Sequence, residues 1–341
     1  MMNLLPIANC RLPIQPGESM TPALIVNRKS SIVNAFSMVE LLVAMTLLSL
    51  IVLVLMTVFN STQAAFQASV TQTDILEGSR ATMDLITTDL RGMVPGDGVS
   101  NYVYQANNDR YVFGSANFFV ANNTYKGYPS YYEPLVQPLP GSTAPRTNLL
   151  QYFFMLGRVN TKWTAAGYVV DSSSASPLYP LYRYYAETNI INNPVGLYTN
   201  FLYAINNAQW TNLSHVMDGV MHLVVRPYDA DGYHMTNTYQ WRKGYWVTNK
   251  NVWFSPLYLQ PPQLGGEVGA AFYSNAVPAA VELQLGVLED RVLQRAESLG
   301  LAGTAPMKVP AQWKYLQSQA GHVQVFRQRV TIPNVDLTAY Q

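Results

Sequence analysis

Phe36-Ser37-Met38-Val39-Glu40-Leu41-Leu42-Val43 opens a stretch, residues 36–59, that reads FSMVELLVAMTLLSLIVLVLMTVF and holds one ionisable side chain, Glu40. At 1.5 Å per residue, a helix over this stretch is roughly 36 Å long and crosses a hydrocarbon core of about 30 Å. Arg28 and Lys29 lie just upstream. Basic residues stay on the cytoplasmic side, so the N-terminus is expected inside and everything after Phe59 outside. A carboxylate within such a helix is expensive, which makes Glu40 either a functional residue or a helix-end residue kept wet at the interface.

Working downstream, the apolar stretch is too long for a secretory signal and continues into a helical pattern. Phe66, Val70, Leu76, Met83, Ile86 and Leu90 recur at helical spacings and form one stripe. Gly92, Pro95, Gly96 and Gly98 supply a stop. The reading is one helix from about Phe36 to Arg91, roughly 84 Å if unbroken, apolar all round in its first half and amphipathic in its second. Upstream, residues 1–35 carry Arg11, Arg28 and Lys29 against Glu18, with Pro6, Pro13, Pro16 and Pro22 among them, which suits a polar leader poor in helix. The chain is thus expected to divide into a leader (1–35), a transmembrane half-helix (36–59), an amphipathic half-helix (60–92) and a β-rich domain (93–341).

Ala35-Phe36-Ser37-Met38-Val39-Glu40-Leu41-Leu42 resembles the processing and methylation site of type IV prepilins and pseudopilins. In that family a membrane peptidase cuts before a Phe and methylates the new amino terminus, and a Glu follows four residues after that Phe. The resemblance therefore implies cleavage between Ala35 and Phe36 and N-methylation of Phe36. It also implies an assembly role for Glu40, whose carboxylate would pair with the amino terminus of a neighbouring subunit. Where the family usually has Gly before the cut, this chain has Ala35. Further resemblances are patchy. Asp84–Arg91, the turn Met217-Asp218-Gly219-Val220, the turn Asp229-Ala230-Asp231-Gly232 and the stretch Val277–Leu285 are similar to J-type minor pseudopilins of type II secretion and W-type minor pilins.

Residues 99–341 read as β-rich on their own pattern. Tyr111–Phe113, Phe118–Val120, Val220–Val225, Val281–Val287 and Val323–Ile332 are strand-like runs between Gly, Pro and Asn turns. A helix is expected near Leu288–Leu299 and a short one from Pro310. The fold class is α+β, with one antiparallel sheet packed on the amphipathic half of the N-terminal helix. The resemblance makes this arrangement pilin-like.

Composition excludes more than it selects. The formal net charge is +1, which gives no basic footprint for nucleic acid, so no nucleic-acid partner is expected. The single cysteine, Cys10, allows neither an intramolecular disulfide nor a cysteine metal site. None of the signatures GxSxG, HExxH, GxxxxGK[ST] or GxGxxG occurs, so no catalytic residue, cofactor or enzyme activity is expected. His215, His222, His234 and His322 are scattered without ligand spacing. Asp229 and Asp231 precede Gly232 as in the opening of a calcium loop, though a β-turn explains the same residues. Trp241-Arg242-Lys243-Gly244-Tyr245-Trp246 suits either stacking on a sugar or base, or a hairpin turn flanked by aromatics.

Two function classes follow. One is a minor pseudopilin or minor pilin that helps initiate or cap a pseudopilus or pilus. Its partners would be prepilin peptidase, other pilin-type subunits and an inner-membrane assembly platform, and its location a bacterial inner membrane with the C-terminal domain periplasmic. The other is a membrane-anchored surface or cargo-binding protein with a prepilin-type head and no filament role.

Overall fold

The computed structural model describes residues 37–96, 102–105, 110–113, 116–122, 134–139, 141–172, 177–192, 194–242, 245–248, 250–254, 267, 269–300, 310–336 and 339. The expected leader and its cleavage residues, Ala35 and Phe36, lie outside this set. The chain divides into two compact units, the first ending at Thr62 and the second beginning at Gln63.

The first unit is the opening part of helix α1 (Met38–Arg91), which has one glycine, Gly78, and no proline to interrupt it. All residues from Ser37 to Phe59 are exposed. The helix is long and apolar enough to cross a membrane. Its hydroxyls do not spoil that character. Thr46, Thr57 and Ser61 donate to the carbonyls of Val43, Leu53 and Val58 in the preceding turn, so their polarity is satisfied within the helix.

The second unit mixes helix and antiparallel sheet. β1 (Tyr102–Gln105) and β2 (Arg110–Phe113) pair with each other. β3 (Phe118–Asn122) precedes a second pair, β4 (Leu135–Gln137) with β5 (Arg146–Asn148). Three nine-residue strands follow: β6 (Gln151–Val159), β7 (Lys162–Val170) and β8 (Leu181–Asn189). Helix α2 (Val195–Asn206) leads to β9 (Ser214–Met217) and β10 (Val220–Tyr228). Then come β11 (Tyr239–Arg242), β12 (Tyr245–Thr248), β13 (Val252–Phe254), β14 (Ala270–Phe272) and β15 (Ala280–Leu288). Helices α3 (Asp290–Gly300) and α4 (Pro310–Gln317) and strand β16 (Val323–Thr331) close the unit.

Two sheets dominate. One runs β13-β14-β3-β6-β7-β8-β9 and the other β10-β15-β16, with antiparallel pairing throughout both. A parallel bridge between Leu150 and Leu223 stitches them together, and the Leu223 N–H donates to the Leu149 carbonyl at 2.8 Å. Alternation along β6 sends Phe153 and Met155 to one face of the larger sheet and Tyr152, Phe154 and Leu156 to the other, so each face carries its own core. On one side lies α2, through Leu197, Tyr198, Phe201, Ala204 and Ile205. Gly167 on β7 makes that approach possible, since a Cβ there would sit 2.5 Å from Cε2 of Phe201. On the other side the core joins Met83, Ile86 and Leu90 of α1 to Leu223 and Val225 of β10 and to Val281, Leu283 and Leu285 of β15.

Three expectations need correction. The amphipathic half of α1 shares its core with two sheets rather than one. The stripe read from apolar spacing is buried only in its second half, at Met83, Ile86 and Leu90: Phe66, Val70 and Leu76 stay exposed, and Ile75, Ser79, Thr82 and Thr87 are buried as well. Small hydroxyl residues fill positions where the helix comes close to strands, as when Thr87 donates to Gln328 of β16. Finally, Leu288 ends β15 and the next helix starts at Asp290, because the β15–β16 ladder extends through the Leu288–Val323 pair.

Candidate functional site

The first turn of α1 carries one of the residues that sequence reading singled out, Glu40. Ser37 and Glu40 form a reciprocal cap. The Ser37 N–H and O–H both donate to Oε2 of Glu40, at 3.0 and 3.1 Å, and the Glu40 N–H donates to Oγ of Ser37 at 3.3 Å. Helix starts leave four backbone N–H groups without intrahelical partners, and this S-x-x-E pattern satisfies two of them, those of Ser37 and Glu40, from the chain itself. The carboxylate also sits at the positive end of the helix dipole. Glu40 is exposed, as are all its described neighbours in the apolar stretch, and none of the described residues buries it.

The last turn of α1 is held in the opposite manner, by partly buried charge. Asp89 accepts from the Arg183 guanidinium and from the Tyr168 hydroxyl on adjacent strands. Burial, together with the Asp89 carboxylate, pushes the Tyr168 hydroxyl well above the ordinary tyrosine range. The hydrogen bond to Asp89 holds Arg183 above its ordinary value in spite of partial burial. Sequence reading named Asp89 only as part of a resemblance and missed Arg183 and Tyr168. The available signal was Arg183 between aromatic residues in a strand, where an interior cation needs an acid.

A second charged network spans the smaller sheet. Arg226 of β10 meets Glu267 and Glu282, and Arg327 of β16 donates to Glu282 at 2.7 Å. Burial works against the Glu282 carboxylate, but hydrogen bonds from Arg327, Gln284 and Arg226 outweigh it and hold the group down at about 2. The pairing joins three neighbouring strands, which makes it a structural clamp.

Asp229 and Asp231 lie in the turn that follows β10. Oδ1 of Asp229 accepts from the Tyr233 N–H at 2.7 Å, and Gly232 takes φ +83°, as a tight turn between paired residues requires. Among the described residues, no three of His, Cys, Asp and Glu are grouped to hold a metal ion.

The four histidines fall in separate settings. His215 pairs with Asp218 at 2.7 Å, His322 with Glu289 at 2.8 Å, and His234 bridges to Tyr228. His222 is buried on β10, where Nδ1 accepts from the Leu149 N–H at 3.2 Å. Burial is the main cause that pushes this imidazole down to about 4, aided by Arg146 and Arg226. β11 and β12 pair antiparallel with Trp241 and Trp246 in register, and Lys243 and Gly244 of that stretch lie outside the described residues. Trp246 is exposed.

The chemistry on offer is therefore polar pairing at the two ends of one helix, together with an uncovered apolar surface over residues 38–59. No family model, no curated protein and no solved structure matches this chain.

Proposed function

We propose that this chain is a minor pseudopilin or minor pilin subunit, cut between Ala35 and Phe36 by prepilin peptidase and built into a filament or its initiating complex. The observation that carries the reading is the division of labour within α1. One part of the helix is apolar and exposed on every side over Met38–Phe59, while its last turns are part of a β-rich core. Such a helix buries its first part only in lipid or against other helices, and assembly through helix packing supplies the second of these. The prepilin-like motif sits where such a subunit needs it, at the head of the apolar stretch. Its partners would be the peptidase, other pilin-type subunits and an inner-membrane assembly platform, and the β-rich domain would be periplasmic.

The test is N-terminal mass spectrometry of the protein recovered from membranes of its own host. The expected terminus is N-methyl-Phe36. A terminus elsewhere leaves a membrane-anchored domain of the surface- or cargo-binding kind and removes the filament role.

A further inference from the structure

The two sheets leave their edges in different states. The larger sheet ends in short strands: β13 has three residues and β9 has four, and β9 joins β8 through a register shift. β10 closes one side of the smaller sheet. Its outward N–H groups at Leu223 and Val225 donate to the Leu149 carbonyl and to Oε1 of Gln151, and position 227 is a proline. β16, on the other side, is nine residues long and pairs with β15 in unbroken register. The Glu289 N–H donates to the His322 carbonyl and the Ile332 N–H to the Ala279 carbonyl. Those bonds flank the pairs Leu288–Val323 and Ala280–Thr331, which fixes the alternation of the ladder between them. Val325, Arg327 and Arg329 therefore turn their N–H and C=O groups away from β15, and no described residue bonds to them there.

An open strand edge is a template for another strand, and proteins usually blunt it. Here only charge does so. On the face that carries Arg327 and Arg329, these two and Arg226 stand beside two described carboxylates, Glu267 and Glu282. Arg327 is 62% exposed although it pairs with Glu282. Arg329 lies over the Tyr228 ring at 3.9 Å and pairs with no described carboxylate. A second copy paired antiparallel along the whole strand would set Arg327 opposite Arg327, and like charges directly opposite are destabilising. A strand with carboxylates at alternate positions meets the same edge with opposite charge. We propose that β16 is a docking edge for an extended acidic segment of another protein chain, which adds a fourth strand to the smaller sheet. Main-chain bonds to Val325, Arg327 and Arg329 hold that segment, and its alternate Glu or Asp side chains reach the two arginines. The edge lies wholly within the second unit and is independent of how the head of α1 is used.

The experiment uses the full-length chain in detergent and a labelled synthetic peptide as long as β16, in which Glu and Val alternate. Binding is read by fluorescence anisotropy, and hydrogen exchange is read amide by amide along β16. The outward amides of Val325, Arg327 and Arg329 are expected to exchange fast alone and slowly with the peptide, whereas those of Gln324, Phe326 and Gln328 stay slow throughout. Val325→Pro removes an outward N–H and leaves the β15 ladder intact, so it should weaken binding about ten-fold. Arg329→Gln should weaken it about three-fold, and a Lys-Val peptide should bind about ten-fold more weakly than the Glu-Val one. If the proline variant loses its own ladder, a Glu-Val peptide methylated on alternate backbone nitrogens takes its place, and methylation on one edge alone should abolish binding. No binding of the Glu-Val peptide overturns the proposal, as does equal binding of the Lys-Val peptide or of peptides methylated on either edge. Wild-type affinity in a folded Val325→Pro chain overturns it too. Protection of the outward amides without peptide, rising with protein concentration, would assign the edge to a second copy and also overturn it.

Discussion

Arg183 grips Asp89 with two hydrogen bonds of 2.8 Å, from Nε to Oδ2 and from the terminal nitrogen to Oδ1, and the Tyr168 hydroxyl closes on the same carboxylate. Both charged side chains are largely withdrawn from solvent, at 20% and 12% exposure for Arg183 and Asp89. The pair sits in the last turn of α1, just before Gly92 turns the chain away from the helix, and so fixes that turn on β7 and β8.

Removing one partner of such a pair strands the other in a poorly solvated site. Asp89→Ala is expected to destabilise the second unit by about 3 kcal/mol. Urea unfolding of the full chain in detergent, followed through its tryptophans, measures this. Asp89→Ala combined with Arg183→Met should recover part of the loss, since no buried charge is then left alone.

Gly167→Ala is expected to cost about 1–3 kcal/mol by overpacking, because the new methyl meets the Phe201 ring at under van der Waals distance. Phe201→Leu in the same chain should relieve the clash, and a double-mutant cycle on denaturant midpoints reads the coupling.

Gly78 is the one glycine in α1, and a Cβ there would meet nothing within 4 Å. Gly78→Ala should raise stability by about 0.5–1 kcal/mol, since it only narrows the unfolded ensemble. Thermal unfolding monitored at the helix band checks it.

Acid lability should appear in two stages. His222 is driven down from 6.5 to about 4 in the folded protein, so the unfolded chain binds a proton that the native state refuses. Its contribution is complete above pH 6.5 and is lost as pH falls toward 4, amounting to about 3 kcal/mol. Glu282, held down at about 2 from 4.5, loses its contribution later, as pH falls from 4.5 toward 2. Unfolding free energy measured from pH 8 to 3 should decline in both windows, and His222→Gln should flatten the first alone.

Asp229→Ala should cost about 1 kcal/mol by freeing the Tyr233 N–H. The melting temperature of the wild type should be the same with calcium and with a chelator, because the Asp229 carboxylate already serves the turn. A calcium-dependent rise would reopen the ligand reading.

The long helix was legible because hydrophobic length and periodicity are local properties of the chain. Its stop at Gly92 and the strands at Val220, Ala280 and Val323 were legible for the same reason. Helix α2 was not read, since Val195-Gly196-Leu197-Tyr198-Thr199-Asn200-Phe201 is rich in residues that favour strands, and only the aromatic face of the larger sheet makes it helical. The stripe on α1 was read in part: Met83, Ile86 and Leu90 are buried, whereas the exposure of Phe66, Val70 and Leu76 and the burial of Ser79, Thr82 and Thr87 are set by residues distant in sequence. At the helix head, Glu40 stood out as a lone charge. Its partner Ser37 did not, because a serine beside a phenylalanine carries no signal until the helix start is known.

The placement of the Asp89 pair also decides how the second unit bears load. Force applied along α1 from its N-terminal side enters this unit at Gln63 and runs parallel to the helix axis. Beyond Ile75 it reaches buried side chains, then the Thr87–Gln328 bond, and last the Asp89–Arg183 fork. These contacts lie side by side along the helix, so they resist sliding together rather than opening one after another.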